Sequence, residues 1–268
     1  MKYMIFCGLL IAPALLLTWL PGDATAPAVP RPKTTAAGHH PPGLAEGVAV
    51  LELFTSQGCS SCPPADRVLG EYARAGKENV IALSFHVDYW NRLGWEDPYS
   101  SPWFSARQTD YTDRFSSRTY TPQLVVNGGQ EMIGSRSQEV ASAVQRALQT
   151  PARVAVSLEQ TTAEEGVLTV AFTLTDDWPG MQLTGLLVQN YAATDVPRGE
   201  NRGRALVHHN VVRKMKPIAA NSYVAGHGVL QFELPDGLRK EESAVALLVA
   251  EPKSGKIVGG RLLRMSAR

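Results

Sequence analysis

Val48-Ala-Val-Leu-Glu-Leu-Phe-Thr-Ser-Gln-Gly-Cys-Ser-Ser-Cys-Pro-Pro-Ala-Asp66 is the stretch on which the reading of this chain turns. Its first seven residues, Val48 to Phe54, form the apolar, partly β-branched run of a buried strand. Two prolines follow the second cysteine directly. Proline suits the first turn of a helix, where a missing N–H does no harm. The helix is therefore expected to start at Pro63, with Cys62 as its cap and Cys59 in the preceding turn. A helix start supplies partial positive charge and free amide donors, both of which favour the thiolate. A strand that delivers two such thiols to a helix suits reversible disulfide chemistry. Cys59 is expected to be the more exposed thiol and the nucleophile, and Cys62 the resolving partner, on a rim open to solvent.

Outward from this stretch, strand and helix signals alternate to about Gln149. Val68, Leu69 and Tyr72 recur at helical spacing within Ala65 to Arg74, and Val80 to Val87 is a second buried run. Pro122 to Asn127 is a third, ended by the hairpin signal Asn127-Gly128-Gly129, with Gln130 to Ile133 returning. Ser137 is placed to cap a helix carrying Val140, Val144 and Leu148 on one face. A helical connection makes the first two strands parallel, so the cysteine pair and His86-Val-Asp88 leave the sheet at one edge. Ligands and chemistry in open α/β sheets collect at that edge. The insertion 89–120 holds nine of the twenty aromatic residues, so it is expected to pack rather than to be disordered. Ser101-Pro102 starts a helix there, with Phe104, Gln108, Tyr111 and Phe115 near one face.

Beyond Pro151 the pattern changes to strands without helices between them: Val154 to Glu159, Val167 to Thr175, Leu183 to Asn190, Leu206 to Lys214, Val229 to Leu234, Ala244 to Glu251 and Lys256 to Leu263. Pro252-Lys-Ser-Gly255 links the last two as a hairpin. Seven short strands point to an antiparallel β-sandwich-like domain over 151–268.

The N-terminus has the layout of a secretory signal over 1–26: Lys2, an apolar run from Tyr3 to Leu20, and the small-x-small site Ala24-Thr25-Ala26. Retained, the run would serve as a membrane attachment; cleaved, it leaves the protein periplasmic or secreted. A Pro/Ala-rich linker follows over 27–44. Cys7 lies in the signal, so the mature chain keeps only Cys59 and Cys62, in a setting where disulfides persist. A net charge of +1 without a basic stretch argues against a nucleic-acid partner. No cofactor motif is found.

The strand-Cys-x-x-Cys-helix unit resembles the thioredoxin superfamily, and Thr121-Pro122 before a buried strand resembles the cis-proline step that faces the cysteines there. More closely, Glu52 to Asp66, His86-Val-Asp-Tyr-Trp90 and Tyr120 to Gly128 resemble a secreted bacterial thioredoxin-like family of unknown function, strongly over about Val48 to Leu148. The resemblance implies an α/β thioredoxin-like domain over 45–150, carrying the insertion. It further implies Thr121 and Pro122 at the substrate contact, and Glu52 as a buried acid assisting proton transfer at the second cysteine. Ser-Ser between the cysteines departs from the commoner dipeptides.

The reading that follows is thiol–disulfide oxidoreductase chemistry on extracytoplasmic protein thiols or disulfides. Three others compete with it. One is a static structural bridge, although so short a loop constrains the unfolded chain little. The second is copper or zinc binding by Cys59, Cys62 and His86, and the third a thioredoxin-like binding module without catalysis. The bland reading of His86 is packing on the insertion with a bond to Asp88. His208-His209-Asn210 alternate across a strand and read as surface residues, and Arg198, Arg202 and Arg204 as a solvated loop face.

Overall fold

The computed structural model describes residues 46–161, 166–176 and 178–266. The expected signal (1–26) and linker (27–44) lie outside the described residues. The first half runs β1 (Ala49–Thr55), α1 (Pro63–Ala75), β2 (Val80–His86), α2 (Pro102–Phe115), β3 (Gln123–Val126), β4 (Gln130–Ile133) and α3 (Ser137–Gln149). The second half adds β5 (Val154–Gln160), β6 (Val167–Asp176), β7 (Gln182–Asp195), β8 (Ala205–Ile218), β9 (Tyr223–Val224), β10 (His227–Glu233), β11 (Ser243–Ala250) and β12 (Ile257–Arg264). Among the described residues the result is a mixed α/β fold with three α-helices, a large mixed sheet and a second, antiparallel sheet.

The large sheet has the order β12-β11-β7-β8-β2-β1-β3-β4. β1 and β2 are parallel, as the helical connection requires, and β3 and β4 are antiparallel additions. Alternation along β1 sorts its side chains between two cores. Ala49, Leu51 and Leu53 face α1 and α3, packing on Ala65, Leu69, Val140 and Val144. Val50 and Phe54 face the other way, toward Phe104 and Tyr111 of α2. Local signals account for the helix ends. Pro63 and Pro64 open α1 behind Cys62 at the N-cap, and Ser101 caps α2 by accepting from the Trp103 N–H. Ser137, expected as a cap, is instead the first helical residue of α3, with Arg136 at the cap position.

One sequence expectation is redrawn. The strands after Pro151 were expected to pair with one another, but β7, β8, β11 and β12 extend the sheet built by β1–β4. The free edge of β2 supplies the reason. β8 docks there in parallel at Ser84 and Val211, and the Asn210 side chain donates to the Ala82 carbonyl at 2.9 Å. β5, β6, β10 and the two-residue β9, which the sequence reading missed, form the second sheet. Its Val170, Phe172 and Leu230 pack on Leu187, Val245 and Leu247 of the large sheet.

The turn Asn127–Gly128 is a second tie. Both residues adopt positive φ, the reason for the Asn-Gly pair. The Asn127 side chain accepts from the Val50 N–H at 2.6 Å and donates to the Val48 carbonyl at 2.8 Å. Its backbone carbonyl accepts from the Ile257 N–H at 2.9 Å.

Candidate functional site

Cys59 and Cys62 form a disulfide where β1 passes into α1, with Cα atoms 5.4 Å apart. Cys62 is the N-cap of α1, as the prolines imply, and its carbonyl accepts from the Ala65 and Asp66 N–H groups. Neither cysteine has measurable exposure, so the expectations of an open rim and a more accessible Cys59 are corrected; Ser60 and Ser61, between them, are exposed. Side chains from two distant segments account for this cover.

The first cover is Thr121. Its hydroxyl donates to Cys59 Sγ at 3.2 Å. The same oxygen accepts from the Trp90 indole N–H at 2.9 Å, so its proton is left to point at the sulfur. Trp90 also packs on Gly58, where an added Cβ would meet the Trp90 Cβ at 3.2 Å. Ser61 Oγ lies 3.4 Å from Cys59 Sγ and donates to the Thr121 carbonyl at 3.5 Å. The Thr121–Pro122 peptide is cis, at the place the sequence marked. The cis step thus falls where the sequence marked it, and Thr121 lies against Cys59.

The second cover comes from residues 196–204, between β7 and β8. The Asn201 side chain is fully buried and donates to the Gln57 carbonyl at 2.9 Å and the Cys59 carbonyl at 2.8 Å. Glu200 Oε2 accepts from the Ser60 N–H at 3.0 Å; the Ser60 hydroxyl first, and this N–H second, hold its carboxyl below the usual range. Arg204 donates to Asn201 Oδ1, orienting the amide. Arg198, Arg202 and Arg204 are exposed, as read. The sequence reading singled out neither Glu200 nor Asn201, because a Glu or Asn in an arginine-rich loop gives no signal of partners 140, 142 and 144 residues away.

Glu52 lies on the other face of the sheet from α1. Its carboxylate accepts from Arg107 Nε at 2.6 Å and from the Tyr111 hydroxyl, both on α2. The phenol is pushed well above the usual tyrosine range, first by burial and then by the Glu52 charge. Arg107 stays charged because Glu52 outweighs the cost of its burial. Cys62 and Glu52 are thus not brought together by any hydrogen bond among the described residues.

The α1 face holds a different polar group. His86 Nδ1 bonds to Asp97 at 2.7 Å rather than to Asp88, whose carboxylate takes the Ser105 hydroxyl instead; this corrects the expected partner. Asp97 also accepts from the Gln57 N–H at 2.8 Å, two residues before Cys59. His208 is buried, contrary to the surface reading, and its ring meets His86 edge to face with centroids 4.5 Å apart. Asn210 is buried as well, so the expected alternation holds but turns two of the three residues inward, His208 and Asn210, and leaves only His209 facing outward. Which face is the inner one depends on α1, whose Asp66 lies 3.6 Å from His208 Nδ1. Burial opposes charge on His208, but the Asp66 and Asp97 carboxylates outweigh it and raise its proton affinity above the ordinary value. Burial likewise opposes charge on Asp97, and His86 with two backbone N–H groups outweighs that and lowers it. His86 Nε2, both His208 ring nitrogens and Asp66 Oδ1 make no hydrogen bond among the described residues. No group of three or more His, Cys, Asp or Glu side chains among the described residues is placed to hold a metal ion.

Fold and site together define a mixed α/β protein with a Cys-x-x-Cys disulfide at a sheet edge, flanked by Thr121 and by a loop of the second half. Residues 50–250 match the family model described as "Protein of unknown function (DUF1223)", and the chain belongs to that family. A crystal structure of an Agrobacterium tumefaciens protein is similar to it, with 26% identity over 83% of this chain and 97% of that one, at a TM-score of 0.61. A domain of the outer membrane lipoprotein Omp28 from Porphyromonas gingivalis aligns with 43% of this chain and 89% of its own, at 7% identity and a TM-score of 0.26, too low to carry an argument. No curated protein matches the sequence. Among the described residues, no helix is long and apolar enough to cross a membrane.

Proposed function

We propose that the protein is an extracytoplasmic thiol–disulfide oxidoreductase built on a thioredoxin-like unit, acting on protein thiols through Cys59 and Cys62. One observation carries the reading: Trp90 N–H to Thr121 Oγ1 to Cys59 Sγ is a chain of donors aimed at a sulfur. A disulfide sulfur is a weak acceptor and gains little from it, whereas the thiolate formed on reduction is a strong one. A substrate thiolate attacks Cys59 Sγ. The Cys59–Cys62 bond breaks, and Cys62 leaves with the electron pair at the start of α1, where partial positive charge favours it. Cys62 then takes a proton from water. A second substrate thiolate attacks the substrate sulfur of the mixed disulfide and displaces Cys59 as a thiolate held by Thr121. The protein thus gains two electrons and, at Cys62, one proton, while the substrate dithiol, its two protons given to water, becomes a disulfide. The reverse sequence reduces a substrate. Glu52 has no part in this proposal, because its carboxylate is held by Arg107 and Tyr111 on the opposite face. The secretory signal read in the sequence supports the extracytoplasmic setting.

A second reading, a static bridge, is favoured by the burial of both sulfurs. The equilibrium of the pair with glutathione separates the two. A potential above about −300 mV, with exchange on a dithiol protein abolished by Cys59→Ser, supports the oxidoreductase. A lower potential, or equal rates for wild type and Cys59→Ser, leaves the static bridge.

A further inference from the structure

Residues 56–60 present three backbone groups outward: the Gln57 and Cys59 carbonyls and the Ser60 N–H. Buried or half-covered backbone groups need partners. Apart from the Cys62 N–H, which reaches the Cys59 carbonyl at 3.2 Å, the partners here are side chains from one distant loop. The two carbonyls share the amide of Asn201, and the Ser60 N–H goes to Glu200. An Asn side chain ends in the same CONH group that a peptide bond carries, and Glu200 supplies an oxygen acceptor as a peptide carbonyl would. The loop closes on itself at its base, where the Val196 N–H bonds to the Arg204 carbonyl at 3.0 Å and the Gly203 N–H to the Val196 carbonyl at 2.7 Å. Gly199 and Gly203, both at φ +77°, lie either side of the two contacting residues. Gly199 also sits against Trp95, whose indole donates to Gln57 Oε1 at 3.0 Å.

We propose that residues 196–204 are a strap that imitates a bound polypeptide, and that the substrate is an extended segment whose main chain replaces Asn201 and Glu200. N–H groups of that segment would bond to the Gln57 and Cys59 carbonyls, and one of its carbonyls would take the Ser60 N–H. Its cysteine then arrives over Cys59 Sγ with the strap displaced. A small thiol must wait for the strap to open unaided, whereas an extended peptide offsets the opening with the bonds it makes. The inference rests on the oxidoreductase reading and gives it both a substrate class and a gate.

The test is reduction of the native disulfide, timed by trapping the freed thiols, with dithiothreitol or a short flexible dithiol peptide as reductant. Asn201→Ala and, separately, the exposed Glu200→Ala should each speed reduction by dithiothreitol. About 10-fold is expected for Asn201→Ala, which loses two ordinary hydrogen bonds. In wild type, N-methylating the peptide amides that flank its first cysteine should slow it about 10-fold while leaving dithiothreitol unaffected. Wild-type rates in both variants overturn the strap, and equal rates for plain and N-methylated peptide overturn the imitation of a polypeptide. The N-methyl comparison uses only wild type, so it decides even if a variant fails to fold. A disulfide that resists every reductant in folded wild type and both variants overturns the oxidoreductase reading itself, a result distinct from the others.

Discussion

Thr121 shows how one hydroxyl gives a sulfur its character. Because Trp90 occupies the oxygen as a donor, the hydroxyl proton is committed to Cys59 Sγ rather than free to rotate. Thr121→Val keeps the shape and removes that bond. A hydrogen bond to a charged acceptor is worth roughly 1.5–3 kcal/mol. Alkylation of Cys59 in the reduced protein at neutral pH should therefore slow about 10-fold or more. Trp90→Phe should act in the same direction but less, since it leaves the hydroxyl present and unoriented; unchanged alkylation in both would detach the donor chain from the thiolate. Arg107 tests the other face. Arg107→Met leaves the buried Glu52 carboxylate with Tyr111 alone, and stability to urea should fall by about 3–5 kcal/mol. The double variant Glu52→Leu/Arg107→Met should recover most of that loss and exchange at the wild-type rate. A double variant that is stable but slow would return Glu52 to the proton-transfer role the family resemblance implies.

At the scale of elements, what the sequence made legible is what local forces decide. The alternating run of β1, the Pro63-Pro64 start of α1, the Ser101 cap of α2 and the Asn127–Gly128 turn each carry their reason within a few residues. Cys59, Cys62 and Thr121–Pro122 were legible because they sit at the ends of such elements. The second cover of the disulfide was not. Asn201 and Glu200 act across the fold on a loop that local signals describe only as polar. Likewise, alternation along β8 shows that His208 and His209 point to opposite faces, but only α1, with Asp66, decides which is buried. Glu52 illustrates the same limit in reverse. Its position along the strand resembles a proton acceptor, yet parity with Phe54 puts it on the α2 face.

The whole molecule has two features that the halves taken separately lack. The first is a polar centre made jointly, with Asp66, His86 and Asp97 from before residue 150 and His208 from after it. His208 binds its proton more tightly folded than unfolded, so its contribution is full below the unfolded value near 6.5 and is lost as pH rises through the raised folded one. Asp97 is the opposite: its contribution is present above the unfolded value near 3.8 and is lost as pH falls through the lowered folded one. Urea midpoints should therefore peak between these limits, with the alkaline decline absent in His208→Gln. The second feature is a shared core. Val48, Ile81, Leu83 and Phe85 pack against Leu186, Val188, Val212, Ala246, Leu248 and Ile257, all from the second half. The free edge of β2 is likewise taken by β8. A fragment of residues 46–150 would leave that apolar face in water and those strand groups unpaired, so the local signals of its strands and helices are not enough to hold it. It should show no dispersed amide spectrum and no sharp urea transition. A fragment that unfolds cooperatively would mean instead that the first half is a domain in its own right, with the second half docked on a finished surface.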